Sequence, residues 1–135
     1  METRPSAAPL SRKVIWAGRI LSALPALLLL FSAVMKIAQP PGFLEGFAKA
    51  GFPEHLARPI GVVELGCVII YLIPRTQVLG AILITAYMGG AVVTHVRLGE
   101  AFIIQILVGV LAWGGLFLRD RRIRSLIPVV EKNIG

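Results

Sequence analysis

The sequence is poor in charge. Only 16% of its 135 residues are Asp, Glu, Lys or Arg, against about 25% in an average soluble domain. It has one cysteine, Cys67, which excludes an intramolecular disulfide, a C-x-x-C redox pair and a cysteine-rich metal site. Its two histidines, His55 and His95, stand far apart, and no HExxH zinc motif, glycine-rich phosphate loop or G-x-G-x-x-G fingerprint occurs. No metal site is expected, and hydrolytic or nucleotide chemistry of those kinds has no motif to rest on.

Apolar residues are what the chain has in quantity. It is 56% hydrophobic, with a mean hydropathy of +0.81. A small soluble domain buries only about 60–70% of its surface, too little to hide this much apolar area. The lipid bilayer is the solvent that fits, and the length suits one domain. Fourteen Lys+Arg against seven Asp+Glu leave a net charge of +7. In a soluble chain that balance raises nucleic acid as a partner. Here the basic residues collect at the ends of apolar runs, which suits anionic headgroups, so no nucleic acid is expected.

Four apolar runs appear: Val14–Met35, broken by Arg19; Leu56–Ile73, holding Glu64; Val78–Val96, holding His95; and Ala101–Leu118, holding Gln105. Each is 18 to 22 residues long, and a rise of about 1.5 Å per residue carries each across a hydrocarbon core of about 30 Å. Backbone hydrogen bonds must close within each run, so all four are predicted to be helices. The expected fold is all-α: a polytopic four-transmembrane-helix bundle over 14–126, with polar tails at 1–13 and 127–135. A cleaved signal peptide is the competing reading of the first run, since Arg12 and Lys13 precede it and Ser32 and Ala33 lie near its end. Its length and the interruption at Arg19 argue against that.

PRTQ and RLGE link the second to the third run and the third to the fourth, and such short links make antiparallel neighbours. The first connection is long. In it Phe43, Leu44, Phe47 and Ala48 share one helical face, Glu45 and Lys49 form an i,i+4 pair on the other, and Gly51 and Pro53 stop the pattern. A short helix lying in the membrane interface is predicted, with an ordinary capping loop as the alternative. Arg4, Arg12, Lys13, Arg75, Arg119, Arg121, Arg122, Arg124 and Lys132 fall on one side of the membrane, against Lys36, Lys49, Arg58 and Arg97 on the other. The positive-inside rule then places both termini in the cytoplasm and the long first loop outside.

Within the runs, Gly18, Ser22 and Ala26 recur every four residues, as do Ala86 and Gly90. Small residues at that spacing let helices approach closely, either inside one bundle or across a homo-oligomer face. Arg19, one turn into the first run beside Trp16, can snorkel to the headgroups. Glu64 cannot, because its side chain is too short for its depth. It needs a partner, a water-filled cavity or a proton. With the topology above, Glu64, His95 and Gln105 come from three helices and lie within about two turns of the outer surface. Tyr87, Ala91, Thr94 and His95 share a face. An outward-facing polar pocket on Glu64, His95 and Gln105 is therefore expected. Thr94 and Tyr87 would border it, Lys36 or Arg97 would be the counter-charge, and the loop helix would be its lid. A structural Glu–Arg or Glu–His pair that fixes helix register is the plainer alternative. His55 reads as a surface residue and Cys67 as buried packing.

Residues 61–100 carry G-x-x-E-L (Gly61, Glu64, Leu65), I-P-R-T (Ile73–Thr76), L-G-A (Leu79–Ala81) and G-G-A-V-x-T-H-x-R (Gly89–Arg97). The first loop has F-x-x-x-G-F-P (Phe47, Gly51, Phe52, Pro53), and the chain closes on WGGLFLRDRRIRSLIP. In this order and spacing the motifs resemble the DoxX-like family of small bacterial membrane proteins, over nearly the whole chain after residue 14. The resemblance implies a four-helix fold in the bacterial cytoplasmic membrane. It also implies an association with quinol oxidase, thiosulfate:quinone or thiol and superoxide redox systems. A fold carries no reaction with it. The leading expectation is an accessory or membrane subunit of a redox system, with quinone as its candidate ligand and a soluble or membrane oxidoreductase as its partner. The alternatives are a small proton-coupled transporter or binder of an amphipathic molecule, using Glu64, and a structural scaffold without ligand.

Overall fold

A computed structural model describes residues 9–126. The 127–135 tail, most of the 1–13 tail, and with them Arg4 and Lys132, lie outside the described residues. The chain runs through α1 (Arg12–Ala38), α2 (Phe43–Lys49), a 3-10 turn (Glu54–Leu56), α3 (Ala57–Leu72), α4 (Gln77–Leu98), α5 (Ile103–Arg119) and α6 (Arg121–Leu126). Among the described residues there is no strand.

Helices α1, α3, α4 and α5 make a four-helix bundle. Helix α1 packs on α3 and α5, and α4 packs on the same two. The ring therefore follows chain order, and each helix is antiparallel to its neighbours. Arg12–Ala38, Glu54–Leu72 and Gln77–Leu98 are long and apolar enough to cross a membrane. Helix α5, with 17 residues, is at the lower end of the roughly 17–25 residues that a span needs, and α3, 16 residues by itself, reaches 19 with the 3-10 turn that leads into it. Helix α1 starts two residues before the apolar run because Ser11 caps it, accepting from the Val14 amide at 3.3 Å. It ends on Gln39 in the left-handed region, and Gly99 (φ 69) ends α4 likewise. The seven-residue α2 sits where an interfacial helix was expected. Helix α6 was not anticipated: Asp120 accepts the Arg122 amide at 2.9 Å and starts it, and Ile123 anchors it at 2% exposure.

Gly18, Ser22 and Ala26 are all buried. A Cβ on Gly18 would stand 2.8 Å from the Gly115 carbonyl oxygen, so α1 and α5 meet backbone to backbone. Around Ser22 lies a buried polar network. Arg119 Nε donates to Ser22 Oγ at 3.1 Å, Tyr71 Oη lies 2.9 Å from that oxygen, and Tyr71 donates to the Ala112 carbonyl at 2.8 Å. Ala86 and Gly90 correct the expectation of a helix contact inside the bundle, while the reading of a homo-oligomer face is not touched by it. Both are exposed, and nothing lies within 4 Å of a Cβ built on Gly90. Helix α4 turns Gln77, Gly80, Ala81, Ile84 and Met88 inward. At about 100° per residue that rotation points position 86 away from the bundle centre.

Candidate functional site

The end of the bundle where α1 and α4 finish and α3 and α5 begin holds a polar cavity. At its centre is Glu64 of α3, 1% exposed. Lys36, in the last turn of α1, donates from Nζ to Glu64 Oε2 at 2.9 Å and also to Ser32 Oγ. Gly61 makes this pairing geometrically feasible. It lies one turn before Glu64, and a Cβ there would stand 2.8 Å from Lys36 Cβ. The absent side chain lets the lysine stem lie against α3. A buried charge is tolerable only when paired, and Lys36 meets that need for Glu64.

The opposite wall comes from α4 and α5. His95 Nδ1 lies 2.8 Å from the Ala91 carbonyl, to which it can only donate. That leaves Nε2 free to accept from Gln105 Nε2, 3.1 Å away, in the neutral imidazole. Glu100 Oε2 lies farther from the same ring nitrogen, at 3.8 Å. Gln105 Oε1 is buried and has no hydrogen-bond partner, alone in this among buried side-chain nitrogens and oxygens of the described residues. A buried amide oxygen left unpaired costs about 1–3 kcal/mol, so it is a position where a donor is wanted.

Between these walls is a cavity of about 410 Å³ bordered by Ser32, Lys36, Glu64, Tyr87, His95 and Gln105 among apolar side chains such as Leu29, Met88, Ile104 and Val108, with Phe43 reaching in from α2. Of the residues singled out from the sequence, Glu64, His95, Gln105, Tyr87 and Lys36 come together here. Thr94 does not: its hydroxyl donates to the Gly90 carbonyl at 2.9 Å, and it lines a neighbouring groove. Arg97 is exposed and outside the cavity, so the counter-charge is Lys36. His55 is exposed on the 3-10 turn. Phe43 comes from the loop helix expected as the lid; Ser32 and Met88 are lining residues that were not foreseen. Ser32 had a readable signal, a hydroxyl one turn before the lysine that ends an apolar run.

The size lies within the roughly 300–1,000 Å³ of small-molecule sites, and so does the character, an apolar vessel with a few polar groups. Lys36 and the Tyr87 phenol offer donors; the Glu64 carboxylate and Gln105 Oε1 offer acceptors. Three helices long and apolar enough to cross a membrane, a fourth shorter apolar helix and a buried acid between them define a small polytopic membrane protein. The pattern of the DoxX-like family matches residues 20–115, and the chain belongs to that family. No curated protein and no solved structure matches it.

Proposed function

We propose that this DoxX-like protein is an accessory membrane subunit of a quinone-linked redox system, working with a soluble or membrane oxidoreductase. Its cavity takes a quinone-type head group from the outer side of the bacterial cytoplasmic membrane, with both termini inside. The observation that carries the reading is the buried, unpartnered Gln105 Oε1 on the wall of a cavity whose other wall is the Lys36–Glu64 pair. The residues suit such a head group in both redox states. Carbonyl oxygens of the oxidised form accept from Lys36 and Tyr87, and hydroxyls of the reduced form donate to Gln105 Oε1 and Glu64. A bound quinone supplies two-electron, two-proton carrier chemistry. The chain's own part is to seat and orient the head, keep bulk water away with its apolar lining, and hold a carboxylate beside it.

The test is binding of a quinone to the purified protein in lipid nanodiscs, measured over empty nanodiscs. Gln105→Leu removes the acceptor and should weaken binding about tenfold, the worth of one good buried hydrogen bond. No protein-dependent binding by the unaltered chain sinks the proposal. The buried ion pair also suits a proton-coupled carrier. Solute uptake that depends on pH and is abolished by Glu64→Gln, without quinone binding, would favour that reading.

A further inference from the structure

The cavity does not end at its polar walls. Lys36, Tyr87, Ala91 and His95 also border a second space of about 480 Å³ on the other side of this α4 face. Its roof is aromatic: Phe47 and Phe52 line it, their rings stacked 5.2 Å apart, and Phe47 in turn stacks at 6.0 Å on Phe43, which reaches into the head cavity. Its floor is Ala86, Gly90 and Thr94, a stretch of α4 about 12 Å long at 1.5 Å per residue. Ile60 and Tyr87 then pass it on to a third space of about 280 Å³ that includes Val63, 58% exposed on the outer face of α3. A run of shared walls thus leads from the buried carboxylate, under α2, to the lipid-facing seam of α3 and α4.

The geometry points to this groove as the seat of a ligand's hydrocarbon tail: the site takes an amphiphile with one chain, which enters sideways from the bilayer and lays that chain over Ala86 and Gly90 beneath Phe47 and Phe52. The inference rests on the head-group reading above and adds to it a route and a ligand shape. Three things favour a tail over other occupants. The groove shares four residues with the head cavity. Its lining is apolar beyond Lys36, Tyr87 and His95, which it shares with the head cavity, and Thr94, whose hydroxyl is spent on the Gly90 carbonyl. The small residues on its floor leave room where a larger side chain would fill it.

Filling the floor tests this. Gly90→Leu puts a side chain into open space, and Ala86→Leu does the same one turn deeper. Each variant in nanodiscs is titrated with a decyl-tailed quinone and with its tail-less parent, and its oligomeric state is measured. The expected result is a loss on the order of tenfold for the tailed quinone, the effect of forcing methylenes into filled space, and an unchanged affinity for the tail-less one. Unchanged affinity for both overturns the tail groove and leaves the head site standing. Equal loss for both also overturns it, since the substitution then acts through the head cavity. A leucine that breaks a dimer assigns the floor to a second copy and overturns it too. If the unaltered protein binds neither quinone, the head-group reading falls and the tail groove with it.

Discussion

Replacing Lys36 with Met keeps the length of the stem and deletes the charge that faces Glu64. The two charges are 2.9 Å apart, on side chains only 16% and 2% exposed. At an effective dielectric constant of about 20, their attraction is roughly 6 kcal/mol. Desolvating both ions offsets much of that, so the net worth of the pair is far smaller. The single substitution is different, because it strands a carboxylate on a side chain only 2% exposed, without the ammonium that faces it. Loss of one partner of a buried pair costs about 3–5 kcal/mol, and Lys36→Met belongs in that range. Glu64→Gln should cost less, about 1–2 kcal/mol, because the lysine stem can carry its ammonium toward the headgroups and Ser32 still accepts from it. The double variant leaves no charge behind and should be more stable than Lys36→Met alone. The assay is a double-mutant cycle by reversible unfolding in mixed micelles. Additive losses, or a Lys36→Met loss below about 1 kcal/mol, would refute the pairing as the means by which Glu64 is buried.

Other outcomes follow from the packing and the ends. Gly115→Ala should unfold the protein at markedly lower temperature, because its Cβ would collide with Ser22, whereas Gly109→Ala, with open space around it, should be neutral or gain up to about 1 kcal/mol. Tyr71→Phe removes the hydroxyl bonded at 2.8 Å to the Ala112 carbonyl and 2.9 Å from Ser22 Oγ, and equilibrium unfolding should show a loss of about 1–2 kcal/mol. At the start of α6, the hydrogen bond from Arg122 holds the Asp120 carboxyl below the usual carboxylate range. A lowered value in the folded state stabilises above the ordinary carboxylate pKa and is lost as pH falls through the folded value. The protection of the Ile123 amide, taken relative to its intrinsic exchange rate at each pH, should therefore fall on acidification, and Asp120→Asn should flatten that dependence.

The spans were legible because a bilayer demands long apolar runs, and Leu56–Ile73 and Val78–Val96 differ from α3 and α4 by only a few residues. Depth was legible too: Glu64, His95 and Gln105 lie at one end because the short links fix the direction of each helix. Rotation was not. Lipid tails are as apolar as the bundle interior, so hydrophobic periodicity does not mark which face of a membrane helix turns inward. Ala86 and Gly90 look like Gly18 and Ser22 on paper, yet one pair is exposed and the other buried. For the same reason Lys36 and Arg97 were equal candidates for the counter-charge until Gly61 showed where α1 approaches α3. The Tyr71–Ser22–Arg119 network joins residues 49 and 97 positions apart, a separation that no local pattern reveals.

Accessibility of the cavity from outside is the most direct test of the central claim. Ala91 lines both the head cavity and the tail groove, and Cys67, the native thiol, is buried. In a Cys67→Ala background, Ala91→Cys should react with a membrane-impermeant thiol reagent added to the outer side of intact cells, and a bound quinone should slow the reaction. A thiol that reacts only after the cytoplasmic side is opened, or that reacts from outside at a rate no quinone changes, would contradict an outward-facing ligand site.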